Sequence, residues 1–189
     1  MSDDSGRLHL GTLTWSPALA ATDLLAEPVA AALGAWAAGE PGVAAQVQVA
    51  EIDPDKAETA ALTEAYGLGL GDSVNCVLVA GRREGAERVA AVVVRATTRA
   101  DVNGVVRRLL DVRKASFWPR DRAVAETRME YGGITPLGLP PLWRVLVDER
   151  VLDGPAVIGS GLRRSKVALP GALLATYPGA EVVPGLALA

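Results

Sequence analysis

The sequence is short of the residues that most hydrolytic chemistry relies on. It has 189 residues, with one histidine, one cysteine and aromatics at only 4%. Ser-His-Asp and Cys-His catalysis both need an imidazole as base. The sole histidine, His9, stands near the N-terminus, outside any periodic segment. Zinc sites draw on several Cys or His ligands, so a metal is not expected, and no cofactor motif is present. One cysteine, Cys76, excludes an intramolecular disulfide; its apolar neighbours Val74, Val77, Leu78 and Val79 point to a buried, unreactive thiol. No apolar run reaches the ~18 residues of a membrane helix. The acidic start MSDDSGR does not read as a signal peptide, which leads to an expectation of a cytoplasmic protein. Any chemistry must come from backbone amides, carboxylates, hydroxyls, amines or water.

Half of the residues are hydrophobic, enough for a full core, and with so few aromatics that core must be Val, Leu and Ala. The length fits one domain over 1–189. The formal net charge of −3 excludes nucleic-acid binding by bulk electrostatics. Local basic clusters remain, at Arg107, Arg108, Arg113 and Lys114 and at Arg163, Arg164 and Lys166, and a solvated surface is the simplest reading of each.

Residues 1–14 read as a loosely ordered arm and 15–40 as a helical segment, with helix starts at Ser16-Pro17 and Glu27-Pro28. Leu25, Val29, Leu33 and Trp36 share one helical face. Val43–Ile52 alternates like a strand, and Asp53-Pro54-Asp55 opens a helix that ends at Gly67. Two apolar runs, 73–80 and 88–97, flank a turn at Gly85 and predict a central hairpin buried on both faces. Asp101 caps a helix, another covers 121–128, short strands fall near 144–147, 156–159 and 165–169, and Pro170 starts a last helix. Without a βαβ rhythm the fold class is α+β: a curved, mixed, mostly antiparallel central sheet with helices packed outside.

The segment Tyr131–Pro141 holds three glycines and three prolines in eleven residues. Glycine admits positive φ and close approach, and proline stiffens the loop. Stiff exposed amides suit a carbonyl oxygen or an oxyanion, although a structural loop has the same composition. Gly159-Ser160-Gly161 forms a second glycine turn, unlike any dinucleotide fingerprint. Asn75 and Arg95 are polar residues inside apolar strands. Each is either satisfied in the core or directed at a ligand. Asp148 either caps a turn or serves a site. Trp118 and Trp143 read as core or rim aromatics, with base stacking as the lesser option.

The stretches MEYGGITPLGLP, VLVDERVL and VIGSGLRRSKVALPGALL resemble the YbaK/prolyl-tRNA editing domain family, and the likeness extends over about residues 44–183. The resemblance implies an aminoacyl-tRNA deacylase that hydrolyses a mischarged tRNA at its 3′-terminal ester. Its GxxxP loop falls on Gly132–Pro136, with Gly132, Gly133 and Thr135 in the catalytic role: their amides hold the ester carbonyl while water attacks and the ribose hydroxyl assists. Asn75, Lys114, Pro136, Gly138, Asp148, Gly159, Ser160 and Gly161 are expected to bind substrate. The implied partners are an aminoacyl-tRNA 3′ end and a synthetase, with no membrane and no metal. One departure stands out: Asn75 occupies the position where the family carries a lysine, leaving Arg95, Lys114 or Arg163 to replace its charge. The alternative is a non-catalytic module on the same fold that recognises a tRNA 3′ end, a nucleotide or a small aminoacyl ligand. Convergence of Arg107, Arg108, Lys114 and Arg163 beside the loop is the arrangement that favours a tRNA end.

Overall fold

The computed structural model describes residues 9–189. Among the described residues there are eleven strands: β1 Ser16–Pro17, β2 Gln48–Glu51, β3 Val74–Arg83, β4 Ala86–Arg95, β5 Arg99–Ala100, β6 Ala115–Phe117, β7 Arg144–Asp148, β8 Pro155–Gly159, β9 Ser165–Pro170, β10 Ala180–Val183 and β11 Ala187–Leu188. They form a four-stranded sheet in the order β1-β2-β9-β8, a five-stranded sheet β10-β7-β4-β3-β6 and the small pair β11-β5. The first sheet is antiparallel throughout. The second is mixed, because β7 runs parallel to both β4 and β10. The expected α+β class holds, with the strands divided between two sheets that touch through a bridge from Ser73 to Val157.

The hairpin β3–β4 is the longest pairing, ten residues in register from Val74↔Arg95 to Arg83↔Ala86. Its two-residue turn needs positive φ twice, and Glu84 at 52° and Gly85 at 83° supply it. β4 sits centrally between β3 and β7, so Val89–Arg95 is buried on both faces. Asp101 accepts from the amides of Gly104 and Val105 and opens a π-turn over Val102–Val106. That turn leads into α4 (Arg107–Leu109).

The N-terminal part differs from the sequence expectation. Of the arm expected over 1–14, residues 1–8 lie outside the described residues. The remainder is fastened: Leu10 is buried and accepts from the Trp15 indole, and Thr12 donates to the Tyr66 carbonyl. Ser16-Pro17 pairs with Gln48-Val49 as a short strand, and the helix expected to start there is only a 3-10 turn, Ala18–Ala20, followed by a second at Thr22–Leu24. An edge strand tolerates the missing proline donor. The helix here is α1 (Glu27–Gly39), with Pro28 in its first turn and Val29, Leu33 and Trp36 buried. Val43 and Val47 are four residues apart, so a helical turn, α2 (Gly42–Gln46), buries both, and the strand begins only at Gln48. Asp53 caps a single 3-10 turn, and α3 (Thr59–Tyr66) follows it. α5 (Arg120–Thr127) matches its expected place, whereas the segment after Pro170 is a 3-10 run, Gly171–Thr176.

Arg95 resolves to a structural role. It is 6% exposed, and its guanidinium donates to the carbonyls of Gly71 (2.8 Å), Arg150 (3.2 Å), Val151 (2.8 Å), Asp153 and Pro155. Its five N–H donors thus tie the 149–155 connection to the end of β4, and desolvation lowers its pKa. Arg95→Met strands several buried carbonyls at once. A loss of at least about 3 kcal/mol is expected, measurable as a lower midpoint in urea denaturation.

Candidate functional site

A cavity of about 330 Å³ opens where the start of β3, the start of α3, the 131–134 loop, the end of β8 and the start of β9 meet. Its wall includes Glu58, Thr59, Asn75, Cys76, Tyr131, Gly132, Ile134, Gly159 and Lys166 over an apolar floor of Leu62, Val74, Val77, Val157 and Ile158. The cavity exists because two backbone turns dock without side chains between them. The Gly161 amide donates to the Gly133 carbonyl (2.8 Å), the Glu130 amide to the Gly161 carbonyl (2.8 Å), and the Gly133 amide to the Glu130 carbonyl (2.9 Å). A Cβ on Gly159 would lie 2.2 Å from the Gly133 oxygen, and one on Gly133 would lie 2.5 Å from the Leu162 oxygen. Both positions therefore require glycine.

Gly132 differs from its neighbour. Its φ is +85°, it lines the cavity, and its amide has no acceptor among the described residues. The Gly133 amide, in contrast, is engaged by Glu130. Thr135 is fully buried behind the wall, and its hydroxyl has no partner among the described residues. Ser160 is also fully buried: its hydroxyl contacts that of Ser165 at 2.8 Å, and Ser165 in turn donates to the Leu24 carbonyl. Gly161 packs against Ala26, and Gly138 faces the Pro28 carbonyl while its amide donates to the Tyr177 hydroxyl. Pro136 lines a separate cavity of about 90 Å³ with Trp143 and Tyr177. Segment 15–40 thus packs behind the loop and not over the cavity.

Asn75 does reach the wall, where its side-chain oxygen accepts from the Thr59 hydroxyl at 3.1 Å. Cys76 also lines the cavity and is half-buried; desolvation pushes its thiol up to about 12, so it stays protonated. Asp148 is fully buried and caps its own turn, accepting from the Arg150 amide and guanidinium and from the Ala187 amide. In strand register it lies two strands from Asn75, about 10 Å across the sheet. Lys114 precedes Ala115, the partner of Gly81. Six residues separate Gly81 from Asn75 along β3, so Lys114 stands about 20 Å from the cavity end of the strand. Arg113 lines a cleft at the hairpin tip, and Asp111 pairs there with Arg83 and Arg88. The two basic clusters therefore part: 107–114 belongs to the tip end of the hairpin, and Arg163, Arg164 and Lys166 belong to the loop. Trp118 and Trp143 pack edge to face at 4.5 Å as core and rim aromatics.

Lys166 is the residue that sequence reasoning left on the surface. It is 7% exposed, lines the cavity, and donates from Nζ to the Gly132 carbonyl at 2.9 Å. Desolvation lowers its pKa from 10.5 to about 8, with Glu58 opposing that shift and Arg163 adding to it. Because the folded-state value is the lower one, burial costs on the order of 3 kcal/mol below pH 8. That cost is relieved as pH rises from about 8 towards 10.5. Its alternation with Ser165 and Val167 in a strand was the signal available; that β9 is interior to its sheet was not. At the mouth, Arg163 bridges Glu58 (3.3 Å) and the Tyr131 carbonyl (3.2 Å), and Arg120 stacks 3.6 Å from the centre of the half-exposed Tyr131 ring. Among the described residues no group of His, Cys, Asp and Glu has metal-holding geometry, and no helix is long and apolar enough to cross a membrane.

Comparison with known proteins places this geometry. The family model described as an aminoacyl-tRNA editing domain matches residues 53–177, which include every residue of the cavity wall. Among solved structures, the hypothetical protein APE2540 superposes with a TM-score of 0.69 at 19% identity, covering 83% of this chain and 99% of its own. A proposed trans-editing enzyme for prolyl tRNA synthetase superposes with a TM-score of 0.65 at 22% identity, covering 84% and 94%. At these identities the likeness is one of fold. A search of curated proteins finds no match.

The two kinds of glycine separate experimentally. Gly159→Ala forces backbone apart and is expected to cost about 1–3 kcal/mol, seen as a lower thermal midpoint. A Cβ on Gly132 meets the end of the long Arg163 side chain at 2.5 Å, which can shift at the expense of its exposed contacts, and Ala57 at an ordinary 3.5 Å. Gly132→Ala therefore carries mainly the strain of positive φ, about 1 kcal/mol, in the same measurement.

Proposed function

This chain belongs to the aminoacyl-tRNA editing domain family, and we propose that it is a deacylase that hydrolyses the ester of a mischarged tRNA at its 3′ end. One observation carries the reading: the unengaged amide of Gly132, held at positive φ on the wall of the cavity. A fixed N–H needs no reorganisation when the ester carbonyl gains negative charge, and in a partly dry site that contact is worth far more than in water. Of the family loop, this assigns the carbonyl-binding role to Gly132. Gly133 and Thr135 hold the loop in shape.

The remaining wall suits the ester's surroundings. About 330 Å³ is at the small end of ligand pockets, and its Ala, Val and Ile lining fits a small amino-acid side chain. Glu58 offers a carboxylate for the α-ammonium group. Arg163, Arg164 and Arg120 surround the mouth at Tyr131 and lie where the tRNA backbone enters. Water attacks the carbonyl carbon, the bond to the ribose oxygen breaks, and that oxygen takes the proton. Positioning and electrostatics supply the rate. The non-catalytic alternative draws on Asn75, which hydrogen-bonds but carries no charge, and on the distance between the two basic clusters.

The test is deacylation of a panel of correctly and incorrectly charged tRNAs by the wild-type protein and by Gly132→Val. Hydrolysis of one mischarged species, reduced about 100-fold or more in the variant, is the expected result. A folded wild-type protein that binds an aminoacylated 3′ end and hydrolyses none of the panel establishes the binding module instead.

A further inference from the structure

Within the cavity wall, Lys166 is the only cation among the described residues. Its ammonium has three donors. One is fixed on the Gly132 carbonyl, and no second acceptor is found among the described residues. Two donors therefore remain on the wall that also carries the unengaged Gly132 amide. The position expected to carry charge, 75, holds a neutral amide turned to Thr59. Arg95 is consumed by carbonyls in the core, Lys114 stands at the other end of β3, and Arg163 is held outside by Glu58 and Tyr131.

We propose that Lys166 is the catalytic cation of this site, donated from β9 and not from β3, and that it shares with the Gly132 amide the negative charge that forms on the ester carbonyl oxygen. The proposal rests on the deacylase reading. As the water oxygen bonds to the carbonyl carbon, the C=O electron pair moves onto the oxygen. That charge is neutralised transiently by the ammonium. When the carbonyl re-forms, the pair in the ester bond leaves with the ribose oxygen, which takes the proton lost by the water. Lys166 keeps its own protons throughout. Its bond to Gly132 holds the ammonium and the amide on the same oxygen.

The groups facing Lys166 are Glu58 from the start of α3, Arg163 from the 159–164 turn, Cys76 from β3 and Tyr131 from the loop. Cys76 is held protonated up to about 12. Lys166 loses its proton at about pH 8, within the range of an assay. A neutral amine still donates to the Gly132 carbonyl, so a purely structural clamp is insensitive to this titration. A catalytic ammonium is not.

The experiment measures deacylation and thermal unfolding for the wild type, Lys166→Met, Lys166→Arg and the double variant Lys166→Met with Asn75→Lys. Lys166→Met is expected to lose about 100-fold in kcat with an unchanged or raised thermal midpoint, since the burial cost of the charge disappears. The wild-type enzymatic rate, after subtraction of spontaneous hydrolysis, falls above about pH 8, while the rate that Lys166→Arg retains, reduced by the altered geometry, does not fall there because a guanidinium stays protonated. The double variant recovers part of the loss by restoring charge from β3. An active wild type with Lys166→Met within twofold of it and an unaltered pH profile overturns the assignment alone. A wild type that deacylates nothing overturns the deacylase reading, and this assignment with it.

Discussion

The docking of the 130–134 loop onto the 159–162 turn is the contact on which the site depends. It is made of backbone: two hydrogen bonds of 2.8 Å cross between segments that pass too close for a Cβ at Gly133 or Gly159, and a third, of 2.9 Å, closes the loop on itself. Backbone amides have fixed directions once their neighbours are fixed. A seam of this kind therefore positions the Gly132 amide more firmly than a side chain could position a donor of its own. Everything behind it serves the same end. The Ala26 amide donates to the Ser160 carbonyl, Ser165 reaches the Leu24 carbonyl, and Gly138 abuts Pro28. The N-terminal segment is in effect the outer wall of the loop.

The buried cations show how the molecule distinguishes structure from chemistry. Arg95 and Lys166 are about equally hidden, at 6% and 7% exposure. Arg95 meets five carbonyl groups and is saturated. Lys166 meets one and opens onto a cavity. Desolvation acts on both, but only the unsaturated one is left with directed capacity for a ligand. A fold seldom retains an under-satisfied charge on stability grounds alone, and Lys166 lies within the residues 53–177 that match the editing domain family.

Much of this was legible in the sequence. The α+β class, the hairpin with its turn at Gly85 and the cap at Asp101 all follow from local chemistry, and local chemistry decided them. Gly132, Gly159 and Asn75, read from glycine turns and from a polar residue in an apolar strand, do line the cavity. The misreadings share a different cause. Ser16-Pro17 has the chemistry of a helix start, yet an edge of the β2 strand was free to pair with it. Val43–Gln46 alternates acceptably, but burying Val43 with Val47 requires a helical turn. Lys166 sits in the run RRSK, which looks like solvated charge. Only the long-range pairing of β9 with both β2 and β8 turns it inward. Lys114 was misassigned for the converse reason: adjacency to a basic run says nothing about which end of a ten-residue strand it will meet.

A site assembled in this way has a particular economy. The sequence has one histidine, and it does not line the cavity. No imidazole is therefore available there as a general base, and in the proposed reaction the proton of the attacking water passes to the ribose oxygen. Activated esters tolerate that arrangement, since what limits their hydrolysis is the cost of charge on the carbonyl oxygen more than the strength of the nucleophile. On the reading proposed above, the effective device is a pair of donors: a glycine with positive φ gives the first and a lysine held below its usual pKa gives the second. Both are fastened to each other through a single 2.9 Å bond. On the proposed reading that bond couples the two, and Lys166 brings to the cavity wall the charge that the neutral amide at position 75 lacks.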